Sequence, residues 1–120
     1  MSFRTTSNIK NIKLKFPVTN SSGTLTLNKE TAWVTKYIGA YVTKSVTLNA
    51  RLGNPQPRIT EVKGGILNSI GLQNKGINHF MDFELPDLKQ YKIPIIISLA
   101  AGSMHDFNQM FIIISVLIMV

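Results

Sequence analysis

Pro94-Ile95-Ile96-Ile97-Ser98-Leu99-Ala100 is the stretch on which the fold turns. A proline opens it, an apolar run of strand length follows, and Gly102 and Ser103 close it. Such a run, rich in β-branched side chains and bounded by turn residues, reads as a strand buried on both faces, the habit of a parallel sheet. Ser103 is placed to cap a helix from Met104 to Met110. Working backward, Ala40-Tyr41-Val42-Thr43-Lys44 is a second short strand by its β-branched and aromatic content. Asn28 is positioned to cap a helix from Lys29 to Ile38, with Trp33, Val34 and Tyr37 facing inward and Gly39 closing it. Earlier still, Ile12-Lys13-Leu14-Lys15-Phe16 alternates apolar and polar residues until Pro17, and Pro17-Val18-Thr19 runs into the turn Asn20-Ser21-Ser22-Gly23. Strand, helix, strand, loop, strand, helix is the rhythm of parallel α/β architecture.

Between the second and third strands the chain reads as irregular from Ser45 to Gly76, where most of the turn residues collect. Loops of that length are uncommon in compact domains and are usually functional. A short helix is expected over Ile77 to Phe83.

The composition narrows the class. Hydrophobic residues are 44% of the 120 and charged ones 16%, enough apolar material for a buried core. Without cysteine the chain has no disulfide framework, thiolate metal site or cysteine nucleophile. No secretory signal is visible near Met1, and the longest nearly apolar stretch, Phe111 to Val120, is about half of the roughly 20 residues that cross a bilayer. The net charge is +7, and it is uneven: all 13 Lys and Arg lie before residue 93, after which Asp106 is the only charged side chain. The basic residues are scattered, with no aromatic stacking platforms between them, so a solvated surface or a small anionic ligand fits better than nucleic acid. The uncharged stretch Phe111–Val120 reads in isolation as a buried strand, and as the end of a domain it is anomalous: a bare strand there is an aggregation hazard. A chain cut short or read through after about Met110 is the expectation, with residues 1–110 as the domain and 111–120 as a hydrophobic tail.

Candidate chemistry is found by elimination. His79 and His105 lack the spacing of a metal pair or a nucleophile–base pair, Glu84 and Asp87 are separated by Pro86, and Gly64-Gly65 alone does not make a phosphate loop. What remains is a set of strand ends, where parallel barrels gather their functional groups. Ser21-Ser22-Gly23 ends the first strand, Lys44-Ser45 the second, and Ser98 to Gly102 the third, with Asn68-Ser69-Ile70-Gly71-Leu72-Gln73-Asn74 at the heart of the long loop. Lys44 either snorkels to solvent or meets an anion. The glycines beside Asn68 leave backbone N–H groups accessible to a carboxylate or phosphate, and the amides of Asn68 and Asn74 suit a planar imide-like ligand.

Four segments resemble the dihydroorotate dehydrogenase family, the FMN-containing barrel enzymes of pyrimidine synthesis. They are Pro17-Val18 through Ser21-Ser22-Gly23-Thr24; Val42-Thr43-Lys44-Ser45-Val46-Thr47-Leu48; Arg51-Leu52-Gly53-Asn54-Pro55-Gln56-Pro57-Arg58; and Gly64-Gly65-Ile66-Leu67-Asn68-Ser69-Ile70-Gly71-Leu72-Gln73-Asn74. The likeness runs from about Ile12 to Asp106, and Gly71-Leu72-Gln73-Asn74 is more similar to the two-subunit, NAD-linked branch. The resemblance implies an N-terminal fragment of a TIM (β/α)8 barrel, about three barrel strands plus a long substrate loop. It implies that Ser22, Gly23, Lys44, Ser45 and Ser98 contact FMN, and that Lys44 and Asn68, Ser69, Ile70, Gly71 and Leu72 hold dihydroorotate or orotate. In the family a base takes a proton from C5 of dihydroorotate while hydride leaves C6 for the flavin.

The resemblance further implies a cytoplasmic protein, a homo-oligomer, and a partner subunit carrying FAD and an iron–sulfur centre, with no nucleic acid or membrane involved. The sequence departs from the family pattern at Ser98, where an asparagine is usual, at Phe16, also usually asparagine, and at Ser21, usually alanine. The segment that brings the family's catalytic base, and the later phosphate-binding strands, have no counterpart in Phe111 to Val120. No catalytic residue is therefore assigned, and two readings follow: a dihydroorotate dehydrogenase-like chain inactive by itself, or a non-enzymatic anion-binding or interaction fragment.

Overall fold

A computed structural model describes the backbone of residues 6–118 and the side-chain environments of residues 6–116. The chain divides into two units, residues 1–45 with 83–98, and residues 46–82 with 99–120.

In the first unit, β1 (Ser7–Ile9) and β2 (Ile12–Leu14) form an antiparallel hairpin. The alternation over Ile12–Phe16 is thus strand-like, but it does not make the first parallel strand. That place falls to the chain after Pro17, where Thr19 bridges Ala40 in parallel and Gly39 N–H donates to Val18 C=O at 2.8 Å. Ring closure removes the amide hydrogen of Pro17, which favours ending one ladder there and beginning another. On its other side β3 (Tyr41–Val42) pairs in parallel with β6 (Ile95–Ile96), in the register Tyr41↔Ile95 and Val42↔Ile96. The chain at Thr19, β3 and β6 therefore lie side by side in chain order, as in parallel α/β folds, and among the described residues no sheet closes. Leu14, Leu27, Ile38, Ala40, Tyr41, Leu85 and Leu88 are buried in this unit.

The expected helix over Lys29–Ile38 shrinks to a 3-10 turn, Ala32–Lys36. Asn28 is not its cap, a position held by Thr31; the Asn28 Oδ1 accepts from the N–H groups of Glu30 and Thr31 at 2.9 and 3.0 Å and so forms the turn that precedes the helix. The helix fails to extend because β-branched Thr31, Val34 and Thr35 disfavour it, and the Thr35 hydroxyl bonds back to Ala32 C=O at 2.8 Å. Trp33 and Tyr37 do not face inward. Both are exposed, their rings meeting edge to face at 6.2 Å.

Tyr41 anchors the connection between the first two parallel strands. Its hydroxyl donates to Leu25 C=O at 2.9 Å and receives Leu27 N–H at 3.4 Å. Burial holds the phenol above its ordinary pKa, with Glu84 adding in the same direction against the hydrogen bond from Leu27. The protonated form is the folded form, so its contribution is intact below the ordinary tyrosine value near 10 and is lost as pH rises through the raised one. Tyr41→Phe is expected to lower stability by about 1 kcal/mol at neutral pH and to flatten the alkaline loss. Urea titrations at pH 7 and above pH 10 check this, and an unchanged alkaline limb in the variant would refute the assignment.

In the second unit, Val46 bridges Leu99 in parallel and Ala100 N–H donates to Val46 C=O at 2.9 Å. The loop of residues 45–76 is less irregular than its composition suggests. β4 (Ile59–Val62) and β5 (Gly65–Asn68) form an antiparallel hairpin with Lys63 and Gly64 at its turn, so Gly64-Gly65 serve strand reversal. Helix α1 (Ile77–His79) leads into a π-type stretch, Phe80–Glu84, and α2 (Leu85–Lys89), longer than the expected Ile77–Phe83. The chain crosses from the second unit to the first between Asp82 and Phe83. Ile77, Phe80 and Met110 are the largest fully buried side chains.

Helix α3 runs Met104–Ile118, so residues Phe111–Ile118 are helical and the strand reading of that segment is corrected. The Ser103 cap is present, its Oγ accepting Asp106 N–H at 3.1 Å. With no glycine or proline after Met110, nothing terminates the helix once begun. The remainder of the tail, residues 119 and 120, lies outside the described residues. Among the described residues no helix is long and apolar enough to cross a membrane.

Candidate functional site

The ends of the three parallel segments in the first unit carry the polar groups. Asn20 fixes the first end to the second: its Oδ1 accepts Val42 N–H and its Nδ2 donates to Val42 C=O, both at 2.8 Å. A carboxamide thus continues the ladder where the backbone turns away. Two residues on, Ser22 Oγ donates to Thr43 C=O at 2.9 Å and lies 3.2 Å from Ser45 Oγ. Ser45 Oγ is in turn 2.9 Å from Ser98 Oγ, and Ser98 N–H donates to Thr43 Oγ1 at 3.1 Å. Residues distant in sequence thereby form one row of hydroxyls across three strand ends.

Strand alternation explains the division of labour. Thr43 points into the unit and is 2% exposed, its hydroxyl satisfied by the Ser98 amide, whereas Lys44 faces solvent. Lys44 therefore takes the solvent-facing alternative, with its ammonium available to an anion. Gly23 lies beside its stem: a β-carbon there would come 3.9 Å from Lys44 Cγ. Ser22, Gly23, Lys44, Ser45 and Ser98 are therefore brought together, as cationic head, open backbone and aligned hydroxyls.

Asn68, Ser69, Ile70, Gly71 and Leu72 lie in the second unit and form a braced turn of their own. Asn68 ends β5 opposite Ile59 and is exposed. Ser69 N–H donates to Arg58 C=O at 2.7 Å, and Asn54 N–H to Ile70 C=O at 3.1 Å. The Asn54 amide reaches Ser69 C=O at 3.1 Å and Ser69 Oγ at 2.7 Å. Gly71 sits at φ +76 with Asn54 packed so closely that a β-carbon would come within 2.7 Å of its backbone nitrogen. Both conditions require glycine. Leu72 follows at φ +55, a conformation rare for an L side chain and often stored near binding sites.

Arg58 braces the same turn from below. Its Nε donates to Asn54 C=O, Nη1 to Gln73 Oε1 at 2.8 Å and Nη2 to Leu52 C=O at 3.0 Å. Asn74, read from sequence as a ligand amide, instead ties its Oδ1 and Nδ2 to Thr47, Leu72 and Gly76. Sequence reasoning missed Asn20, Thr43 and Asn54. The signal available was a buried polar side chain in a strand, or an asparagine flanking a turn, each of which must find a partner. No cluster of His, Asp or Glu able to hold a metal occurs among the described residues.

A family model described as dihydroorotate dehydrogenase matches residues 4–118. The catalytic subunit of dihydroorotate dehydrogenase B (NAD(+)) from Endomicrobium trichonymphae is 44% identical over 110 residues, covering 90% of this chain and 36% of the relative. The same subunit from Thermoanaerobacter pseudethanolicus is 42% identical over 104 residues, covering 82% of this chain and 33% of the relative. That from Caldicellulosiruptor saccharolyticus is 40% identical over 112 residues, covering 92% and 37%. The chain thus spans about a third of the length of the curated relatives it matches.

Proposed function

The chain belongs to the dihydroorotate dehydrogenase family, and from that premise we propose that it forms the flavin- and pyrimidine-facing portion of an FMN-dependent enzyme that oxidises dihydroorotate to orotate. The observation that carries the reading is the convergence of Ser22, Gly23, Lys44, Ser45 and Ser98 at three adjacent parallel strand ends. A planar, polar ring with an anionic partner fits such a surface: the open backbone at Gly23 admits it, the hydroxyl row offers in-plane hydrogen bonds, and Lys44 supplies the positive charge. FMN, when bound, supplies the hydride acceptor. The protein's part at these strand ends is to orient the ring and hold the carboxylate of the pyrimidine through Lys44; the turn Asn68–Leu72, braced within its own unit, is by family likeness a further pyrimidine-binding segment.

Residues 1–110 constitute the barrel portion on this reading, with three of its parallel strands; the family match runs on to residue 118, through most of the hydrophobic tail. The family's base-bearing segment has no match in these 120 residues, so the chain by itself binds and does not turn over. The relatives' name, catalytic subunit of a B-type, NAD-linked enzyme, supports a separate electron-transfer subunit as partner, and a cytoplasmic homo-oligomer is the arrangement we propose. The net charge of +7 supports a second reading, anion binding by charge alone.

Titration of the purified chain with FMN and with orotate, followed by flavin absorbance and fluorescence, separates them. Saturable binding that persists at 0.2 M salt is expected, weakened about tenfold by Lys44→Met, the effect of one charge-assisted contact. Binding that vanishes with salt and is indifferent to Lys44 would leave only the charge reading.

A further inference from the structure

The geometry points to Ser98 Oγ as an acceptor-only terminus, selecting a ligand that presents an imide N–H to it and closed there to carboxylate or phosphate oxygen. The inference rests on the flavin and pyrimidine reading above and adds to it a polarity. A carbonyl oxygen can only accept, so the 2.9 Å contact between Ser22 Oγ and Thr43 C=O engages the single hydroxyl hydrogen of Ser22. For the 3.2 Å contact of Ser22 with Ser45 to be a hydrogen bond as well, so that all three contacts are made together, its hydrogen has to come from Ser45. In the 2.9 Å contact of Ser45 with Ser98, it must come from Ser98. One backbone carbonyl thus sets the direction of the whole row, and cooperative polarisation along it reinforces that direction.

Ser98 is left with lone pairs and no hydrogen to offer. Its own N–H is also engaged, by Thr43 Oγ1 at 3.1 Å. An anionic oxygen brought against Ser98 Oγ would meet lone pair against lone pair, whereas a ring N–H completes the row. This divides the work of the site: Lys44 receives negative charge and Ser98 receives a hydrogen. An asparagine at this position could offer either an N–H or a carbonyl oxygen. The serine, locked by its neighbours, offers one polarity only.

The imide –CO–NH–CO– is common to the isoalloxazine ring and to the pyrimidine, and paired N-methyl analogues distinguish the two. The purified full chain is titrated with FMN and with 3-methyl-FMN, and separately with orotate and with 3-methylorotate. For whichever ring uses Ser98, methylation weakens binding about tenfold, the loss of one neutral hydrogen bond with its acceptor left unpaired. Ser98→Ala weakens the unmethylated ligand to a similar degree, and the two losses do not add. Ser98→Thr, which keeps the hydroxyl, retains the discrimination. If FMN and orotate bind and neither methylated analogue is discriminated against, the inference falls and the cofactor reading stands. If discrimination survives unchanged in Ser98→Ala, its origin is steric and the inference falls likewise. If wild type binds neither ring, the cofactor reading falls and this inference with it.

Discussion

Gly39→Ala is expected to lower stability by about 3 kcal/mol or more, placing it among the most damaging single substitutions available in this chain. A β-carbon at Gly39 would lie 2.0 Å from the carbonyl oxygen of Phe16 and 3.0 Å from both Phe16 C and Leu14 Cβ. Two of those three atoms are backbone, which cannot swing aside as a side chain would. The contact exists because Gly39 N–H bonds Val18 C=O while Ala40, the next residue, bridges Thr19. Moving Gly39 away means breaking the pairing between the first two parallel segments, and with it the amide clamp of Asn20 on Val42. The loss should therefore appear twice: in urea denaturation, and in weakened ligand binding at Ser22 and Lys44. Gly102→Ala is the control, since nothing lies within 4 Å of a β-carbon there. Equal denaturation midpoints for the two variants would show that the close approach at Gly39 relaxes at no cost.

That contact also marks the limit of what the chain reveals as a string. Gly39 was legible as a stop signal after an apolar turn, but the backbone it must admit comes from Phe16, on a segment far off in sequence. The strands at Tyr41–Val42 and Ile95–Ile96 were legible because both are apolar, short and bounded by glycine or proline. The hairpin Ile59–Val62 with Gly65–Asn68 was not. Every residue in it is exposed, so no buried face imposes an alternation of period two on the sequence. Phe111 to Ile118 failed for a related reason. An unbroken apolar run has no period at all, and only the absence of a breaker after Met110 favoured continuing the helix.

The site divides along the same line. Ser22, Gly23, Lys44, Ser45 and Ser98 could all be picked out as groups at the ends of strands, and the family likeness supplied the ligand expected there. Their hydrogen bonds could not be read, because a row of hydroxyls depends on register, and register between parallel strands is set by packing across separations of 21 to 55 residues. The loop residues Asn68–Leu72 were legible as a cluster of turn chemistry. That Arg58 and Asn74 brace the cluster was not legible, since a cation and an amide beside glycines suggest a ligand as readily as a scaffold.

Asn74 is where that ambiguity has the largest measurable consequence. Its Oδ1 accepts Thr47 N–H at 3.2 Å and Gly76 N–H at 2.8 Å, while its Nδ2 donates to Thr47 Oγ1 at 2.9 Å and to Leu72 C=O at 2.7 Å. Thr47 is buried, so its amide cannot turn to water when the partner is removed, and Leu72 is held at φ +55 against its own preference. Asn74→Leu keeps the volume and removes every one of these bonds. A loss of about 3 kcal/mol is expected, from stranded donors at roughly 1–3 kcal/mol each, partly offset by relaxation of Leu72. Asn74→Asp retains the acceptor for Thr47 and Gly76 but cannot donate to Leu72 C=O, and should fall between the two. Amide hydrogen exchange gives the sharper readout. In Asn74→Leu the Thr47 and Gly76 amides should lose protection together, whereas in Asn74→Asp they should keep it while the turn at Leu72 loosens. If a ligand rather than the scaffold were the partner of this carboxamide, exchange at Thr47 and Gly76 would be the same in all three proteins without ligand, and only affinity would change.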